Sequence, residues 1–403
     1  MGCENFSTPM LTVAAAHNQL LAAHQPPPSV EEVFLAAALG RVLAQDQYAV
    51  LDVPPAANSA MDGYAFRHAD VSAQGQSFKV SQRIAAGHVP EMLQAGTVAR
   101  IFTGAEIPQG ADTVVMQEDC DAAEDTVTIR ELPEHGANVR PRGQDIAAGQ
   151  LLLTAGHRLR AQDLGLLASQ GQTKAVVYQR LKVALLSTGD ELVEPGRALA
   201  MGQIYNSNRF TMLGLLQGWG FEVIDLGIAP DQPEIIQAML TEAASKADVI
   251  ISSGGVSVGE EDHVKAIVEK LGQLDLWRIA IKPGKPFAYG QVLGTPFLGL
   301  PGNPVSVFVT LLIIGRPYLF ACQGMQAQSP IFSTVSALFE KAGSNREDYL
   351  RVRLSDQGVD LYSSQSSGVL LSASHSDGLV RQPIGQDIKS GDRVDFIPYA
   401  QFA

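Results

Sequence analysis

Apolar and polar positions alternate along the chain in four distinct ways. Two apolar-rich stretches open it, at 8–23 and 29–44, separated by Pro26, Pro27 and Pro28. Both read as helices, the second because Val30, Val33, Phe34 and Ala37 fall on one helical face before Gly40 ends the pattern. From about 46 to 145 the period shortens: apolar runs at 78–80, 97–102, 113–116 and 126–129 sit between Gly, Pro and Asp turns, which predicts a β-rich insertion. From about 178 to 326 short apolar runs at 182–187, 221–226 and 249–252 alternate with helical stripes over 208–218, from Pro233, and over 262–271. Strand, loop and helix in repetition imply a doubly wound parallel sheet, with ligands at the carboxyl ends of its strands. The last stretch, 327–403, returns to a β pattern and turns into a late strand at Gly391–Asp392.

Composition narrows the function. The chain has 403 residues, enough for several domains, and a formal net charge of -13 with no clustered Lys/Arg run. Nonspecific nucleic-acid binding is therefore excluded, while a small anion held by a few local cations is not. Three scattered cysteines, Cys3, Cys120 and Cys322, form no CxxC pair and fit a reducing cytoplasm. The first ten residues lack a signal-peptide layout. The uncharged stretch 292–315 is interrupted by Pro296, Pro301 and Pro304, leaving 305–314 as a buried helix too short to span a bilayer.

Candidate chemistry lies in the loops after the strands. Ser253, Gly254, Gly255 and Ser257 stand in a Gly/Ser turn whose amides and hydroxyls suit phosphate, although the same turn could be structural. Asp190 and Glu191, Asp231 and Asp262 follow three different strands. Carboxylates aimed at one cleft repel unless a cation sits among them, and hard oxygen ligands suit Mg²⁺ bridging phosphates. Lys282-Pro-Gly-Lys285-Pro286, with Arg278 upstream, is a proline-stiffened cationic loop suited to molybdate or phosphate. Pro301-Gly-Asn303-Pro304 leads into the apolar helix, with Asn303 as cap and Pro304 in the first turn; anion seat and plain structural loop are equally compatible with it. No Ser-His-Asp or Cys-His arrangement is evident.

These motifs occur in a telling order. Ser59-Ala-Met-Asp-Gly-Tyr-Ala65, Thr103-Gly104, Gly143-Gln-Asp-Ile146, Ser187-Thr-Gly-Asp-Glu-Leu192, Asn206-Ser-Asn208, Ser253-Gly-Gly-Val-Ser-Val-Gly259 with Asp262, Lys282-Pro-Gly-Lys-Pro286 and Leu300-Pro-Gly-Asn-Pro304 follow one another. Together they closely resemble the molybdopterin molybdenumtransferase family, which includes the gephyrin E-domain. The resemblance implies an α/β multidomain fold: a central doubly wound α/β domain (8–23 and 178–326), a small linking α/β domain (24–46 and 146–177), a β-rich inserted domain (47–145) and a C-terminal β-barrel-like domain (327–403). It also implies insertion of molybdate into adenylylated molybdopterin with release of AMP and with Mg²⁺ as cofactor. The expected setting is a cytoplasmic homodimer with a composite active site, and contact with other cofactor-assembly proteins is open to it.

By the same resemblance Asp62, Asp145, Glu191, Asp231, Asp262 and Lys282 are catalytic, with Glu191, Asp231 and Asp262 as metal ligands. It also implies that Thr103, Arg278, Pro301, Pro304, Arg351 and Ser367 bind substrate, and the loop chemistry above adds Ser253, Gly254, Gly255, Ser257 and Lys285. The chain departs from the family at Gln365-Ser-Ser-Gly368, at Ser376-Asp-Gly378 and in having Arg at 278. The alternatives are a pterin adenylyltransferase, a nonenzymatic scaffold and a nucleotide-cleaving relative of the central fold.

Overall fold

The structure, a computed structural model, describes residues 10–255, 263–326 and 331–402. The chain forms two compact units: one from residues 1–44, 156–160 and 175–403, the other from 45–155 and 161–174.

The first unit is built on a six-stranded sheet in the order Glu222–Ala229, Lys182–Thr188, Val249–Ser253, Thr295–Leu300, Pro286–Val292, Gly272–Arg278. The first four strands are parallel; the last two add an antiparallel edge to the parallel sheet that the sequence predicts. In Lys182–Thr188 successive residues are buried on opposite faces. Val183 and Leu185 join one core with Ile251, Leu298 and the helical residues Leu20 and Leu312, while Ala184 and Leu186 join the other with Ile236, Leu240 and Val268. A strand covered on both faces needs a continuous apolar run, which is why this segment shows no alternation. Helices Ser207–Gly218, Pro233–Lys246 and His263–Leu271 cover the sheet.

Two expectations are corrected. The predicted helix over 29–44 is instead a strand, Val30–Phe34, paired with Lys174–Tyr178, followed by a short 3-10 turn, Leu35–Ala37. Val30 and Phe34 are exposed at 55% and 64%, so the supposed apolar helical face is not buried. Three prolines just upstream and the β-branched Val30 and Val33 favour extended backbone, and strand pairing decides the outcome. The second correction concerns the apolar helix, which does not stop at 314. It runs from Pro304 through a π-helical segment, Leu311–Gly315, to Cys322. Those 19 residues are long and apolar enough to cross a membrane, but the helix is 83% buried inside the protein and serves as its core helix. Pro317 falls in the first turn of the α-helical segment Arg316–Cys322, directly after the π segment, where a missing N–H costs little.

The C-terminal part of this unit is a half-barrel sheet: Ile281–Lys282, Glu347–Ser355, Gly378–Gln382, Arg393–Pro398, Ser333–Ser336, with Gly358–Leu361 beside Glu347–Ser355. Its own core includes Phe339, Leu350, Val352, Val380 and Phe396. Ile281–Lys282, from the cationic loop region, pairs in parallel with Glu347–Ser355 and so joins this sheet to the α/β part.

The second unit contains the β-rich insertion, a six-stranded sheet ordered Thr113–Met116, Gly63–Phe66, Thr97–Ile101, Ser77–Ile84, Thr126–Ile129, Cys120–Ala122. All four apolar runs read from the sequence lie in its strands. Gly63, in the Ser59–Ala65 motif, has a structural reason: a Cβ there would sit 1.9 Å from the Val115 carbonyl oxygen. Gly63→Ala is therefore expected to destabilise this unit by about 3 kcal/mol, lowering the urea midpoint of its unfolding. An unchanged midpoint would mean that the strand pair yields without cost.

Candidate active-site cleft

A cleft of about 830 Å³ opens in the first unit, lined mainly by loops of the α/β part and of the C-terminal part. Glu191 comes from the turn after Lys182–Thr188. Leu192 N–H donates to the Gly189 carbonyl at 3.1 Å and Ile204 N–H to the Glu191 carbonyl at 2.8 Å, which fixes the turn. Glu191 itself is exposed, and among the described residues no cation pairs with it. Its neighbours are differently occupied. Arg209 takes both Asp225 oxygens at 2.8 Å and Glu194 at 2.5 Å, so these two acids neutralise an arginine, whose pKa they raise, and are not spare ligands.

Gly254 and Gly255 line the cleft with φ of 86° and 69°. A Cβ on Gly255 would meet Thr188 Oγ1 at 2.8 Å and Val264 at 2.5 Å, so the close approach of this loop to a strand end and to the helix His263–Leu271 requires glycine here. Ser253 lies behind them, 2% exposed, with its hydroxyl 3.3 Å from that of Ser187. Thr188 Oγ1 is buried with no hydrogen-bond partner among the described residues.

The cationic wall is the loop from Lys282 to Pro286, all of which lines the cleft. Lys282 Nζ donates to Asp348 Oδ2 at 3.0 Å. Lys285 and Arg346 also line it, and neither has a carboxylate partner among the described residues. Arg346 is anchored by Nη1 donating to the Ile281 carbonyl at 3.4 Å. With Lys282 balanced by Asp348, two cations without a carboxylate partner face one carboxylate, Glu191, among the described residues. This local arrangement favours an anion in an otherwise acidic chain.

The remaining wall is Pro301–Pro304 with Ser306, and Gln365, Ser366 and Ser367. Asn303 stands at the cap position without a side-chain capping bond, and Pro304 opens the helix as its sequence implies. Asn208 Nδ2 donates to the Gly302 carbonyl at 2.7 Å and Asn206 caps its own helix by accepting from Arg209 N–H at 3.2 Å, which gives the Asn206-Ser-Asn208 motif a positioning role. Val305 N–H donates to the Ser367 carbonyl at 3.0 Å, binding this loop to the helix start.

Of the sequence candidates in this unit, Glu191, Gly254, Gly255, Lys282, Lys285, Pro301, Pro304 and Ser367 therefore converge on one cleft. Arg351 does not line it. Its guanidinium is fully buried and donates to Tyr349 carbonyl at 3.2 Å and Ser366 carbonyl at 3.4 Å, so it supports the wall from behind rather than meeting a ligand in this conformation. Arg278 and Asp231 also lie off the lining; Asp231 N–H donates to Asp190 Oδ1 at 3.0 Å, which draws the ends of two strands together. Asp262 and Ser257 lie outside the described residues. Among the described residues no three His, Cys, Asp or Glu side chains gather around a common point. The sequence does not single out Arg346 and Asp348, and it marks Gln365 and Ser366 only as a departure from the family motif. Their place depends on strand register across the C-terminal sheet, which no local pattern reveals.

The second unit carries Asp62, Thr103 and Asp145. Asp62 Oδ1 accepts the Thr103 N–H at 2.7 Å and its hydroxyl at 2.8 Å. The backbone N–H first, then the hydroxyl, hold this carboxyl below the usual carboxylate range. Asp145 is exposed, its N–H on the Val53 carbonyl at 2.9 Å. Thr103→Val removes one of the two donors and should raise the Asp62 pKa part of the way to its ordinary value. A depressed folded pKa stabilises above the unfolded value and is lost as pH falls through the folded one, so the variant should lose this contribution at a higher pH. Carboxyl-carbon NMR titration reads the shift, and an unmoved Asp62 pKa would show that the hydroxyl contributes nothing.

Comparison with known proteins is consistent along the chain. Three family patterns match: the MoeA N-terminal region (domain I and II) over residues 11–171, the probable molybdopterin binding domain over 184–321, and the MoeA C-terminal region (domain IV) over 339–399. A molybdopterin molybdenumtransferase of Haemophilus influenzae is 43% identical over 346 residues, 85% of each chain. One from Nostoc sp. is 38% identical over 381 residues, 90% of this chain and 87% of the other. The crystal structure of a molybdopterin biosynthesis MoeA protein from Pyrococcus horikoshii superposes with a TM-score of 0.80 at 31% identity, covering 97% of this chain and 99% of that one.

Proposed function

The chain belongs to the MoeA family of molybdopterin molybdenumtransferases, and from that membership we propose that its cleft inserts molybdate into adenylylated molybdopterin with release of AMP, a transferase step of molybdenum cofactor biosynthesis. The observation that carries the reading is the cleft itself: Lys285 and Arg346, with no carboxylate partner among the described residues, paired Lys282, two adjacent glycines and the Ser366–Ser367 loop around one space. Molybdate is a tetrahedral dianion, and two uncompensated cations match its charge. In this reading Lys282, Lys285 and Arg346 hold molybdate, while Ser367 donates a hydroxyl hydrogen bond. Gly254 and Gly255 let the backbone approach the phosphates closely. The dithiolene sulfurs displace oxygen from molybdenum, and water cleaves the phosphoanhydride to give AMP.

Mg²⁺ suits the donor chemistry, because Glu191 offers a carboxylate in the cleft with no cationic partner among the described residues. Glu191 would hold it from the cleft wall, and the family resemblance adds Asp231, which lies off the lining here, and Asp262, outside the described residues. Bound there, the ion supplies charge stabilisation for a departing phosphate. The working form in this proposal is a cytoplasmic homodimer with the composite centre that the family resemblance implies, and light scattering at twice 42.9 kDa would support it.

The test is reconstitution. Purified protein with adenylylated molybdopterin, Mg²⁺ and molybdate should release AMP; omitting molybdate, or chelating Mg²⁺, should stop it. Pyrophosphate release from free molybdopterin plus ATP, with AMP retained on the pterin, would instead mark an adenylyltransferase. Release from ordinary dinucleotides would mark a nucleotide-cleaving enzyme, and no release under any condition would mark a scaffold.

A further inference from the structure

The Lys282 ammonium is held in the cleft wall by a partner that no motif announces. Asp348 Oδ2 lies 3.0 Å from Lys282 Nζ, with the carboxylate 3% exposed and the lysine side chain 34%. The pairing follows from register: Ile281–Lys282 runs parallel to Glu347–Ser355 with Lys282 opposite Asp348. The charge of Asp348 also reaches a second cation, Arg351, three residues along the same strand. Burial pushes the Arg351 guanidinium pKa down, and the charge of Asp348 is the leading effect opposing that. Arg351 in turn donates to the Ser366 carbonyl at 3.4 Å, and its backbone N–H meets Gln365 Oε1 at 3.0 Å. The buried carboxylate thus holds the Lys282 wall of the cleft, while Arg351 bonds the Gln365–Ser366 rim.

A lysine on its flexible four-carbon stem samples many positions unless something holds it. A carboxylate buried this deeply costs desolvation that cations must offset, which makes its position specific rather than incidental. We propose that Asp348 is a positioning residue of the anion cleft: it fixes the Lys282 ammonium for the incoming oxyanion. The inference rests on the functional reading above.

The experiment measures kcat and the KM for molybdate in AMP release, with thermal unfolding as a check on folding. Asp348→Asn should raise the molybdate KM about tenfold or more, with kcat at saturating molybdate changed less than about threefold. A merely structural role would lower the active fraction, hence kcat, and leave KM in place; that result overturns the proposal. Should Asp348→Asn fail to fold, Asp348→Glu keeps the charge and shifts it by one methylene. It too should raise KM, and a folded Asp348→Glu with the wild-type KM would reduce Asp348 to charge balance and overturn positioning. In a Lys282→Gln background a further Asp348→Asn should leave KM nearly unmoved, whereas losses that multiply would show action independent of Lys282. Failure of the wild type to release AMP in a molybdate-dependent way would be a different outcome: it removes the functional reading, and this inference with it.

Discussion

Lys282→Ala is expected to cost both activity and stability. The substitution removes one of three cations from the cleft lining and leaves Asp348, 3% exposed, without its ammonium partner at 3.0 Å. A buried carboxylate stripped of its partner typically costs about 3 kcal/mol or more, and Arg351 nearby compensates only in part. Loss of a preorganised charge at the reacting anion should lower kcat/KM by about 100-fold or more. The two effects separate in the pair Lys282→Ala/Asp348→Asn, which removes both charges. Unfolding in urea should then return most of the way to the wild-type midpoint while AMP release stays low. Recovery of activity along with stability would mean that Lys282 serves only the fold.

Glu191→Gln should behave in the opposite manner: full stability and almost no turnover. Glu191 is exposed, lines the cleft, and has no ion pair among the described residues, so its neutral isostere should change stability by less than about 0.5 kcal/mol. If the carboxylate helps to hold Mg²⁺ against the phosphoanhydride, several kcal/mol of transition-state stabilisation is lost with it, or about 10³-fold in rate. Raising Mg²⁺ should restore part of that rate, because a weakened site fills at higher concentration. Wild-type AMP release by the variant at ordinary Mg²⁺ would remove Glu191 from the catalytic set.

The strands of the parallel sheet are legible because two-sided burial leaves continuous apolar runs, as at 182–187 and 249–252. Proline marks helix starts equally plainly, as Pro233 and Pro304 do at the first turns of their helices. The segment from 29 to 44 misleads because Val30, Val33, Phe34 and Ala37 fit a helical face by spacing, while the decisive interaction is pairing with Lys174–Tyr178, more than a hundred residues away. The length of the core helix is misjudged because the uncharged window ends before Arg316, yet the helix runs on through a π-helical segment into Arg316–Cys322.

The candidate site divides similarly. Residues in compact motifs, such as Gly254, Gly255, Lys282, Lys285 and Pro304, are found because their glycines and prolines are unusual in place. Asp348 and Arg346 are ordinary charged residues in and beside an ordinary strand. What distinguishes them is that Ile281–Lys282 enters the C-terminal sheet in a register that sets Lys282 against Asp348. Arg351 shows the converse: motif reasoning assigns it to substrate, while its buried hydrogen bonds put it behind the wall.

The central claim is that the cleft lined by Lys282, Lys285, Arg346 and Ser367 is where the tetrahedral oxyanion binds. Anomalous diffraction from crystals of the whole protein soaked in tungstate, a heavy tetrahedral dianion of the same shape as molybdate, tests it most directly. The account predicts a single strong tungsten peak within hydrogen-bonding reach of those side chains, and its loss in Lys285→Ala/Arg346→Ala crystals. A strong peak elsewhere on the chain, with none in the cleft, would contradict it.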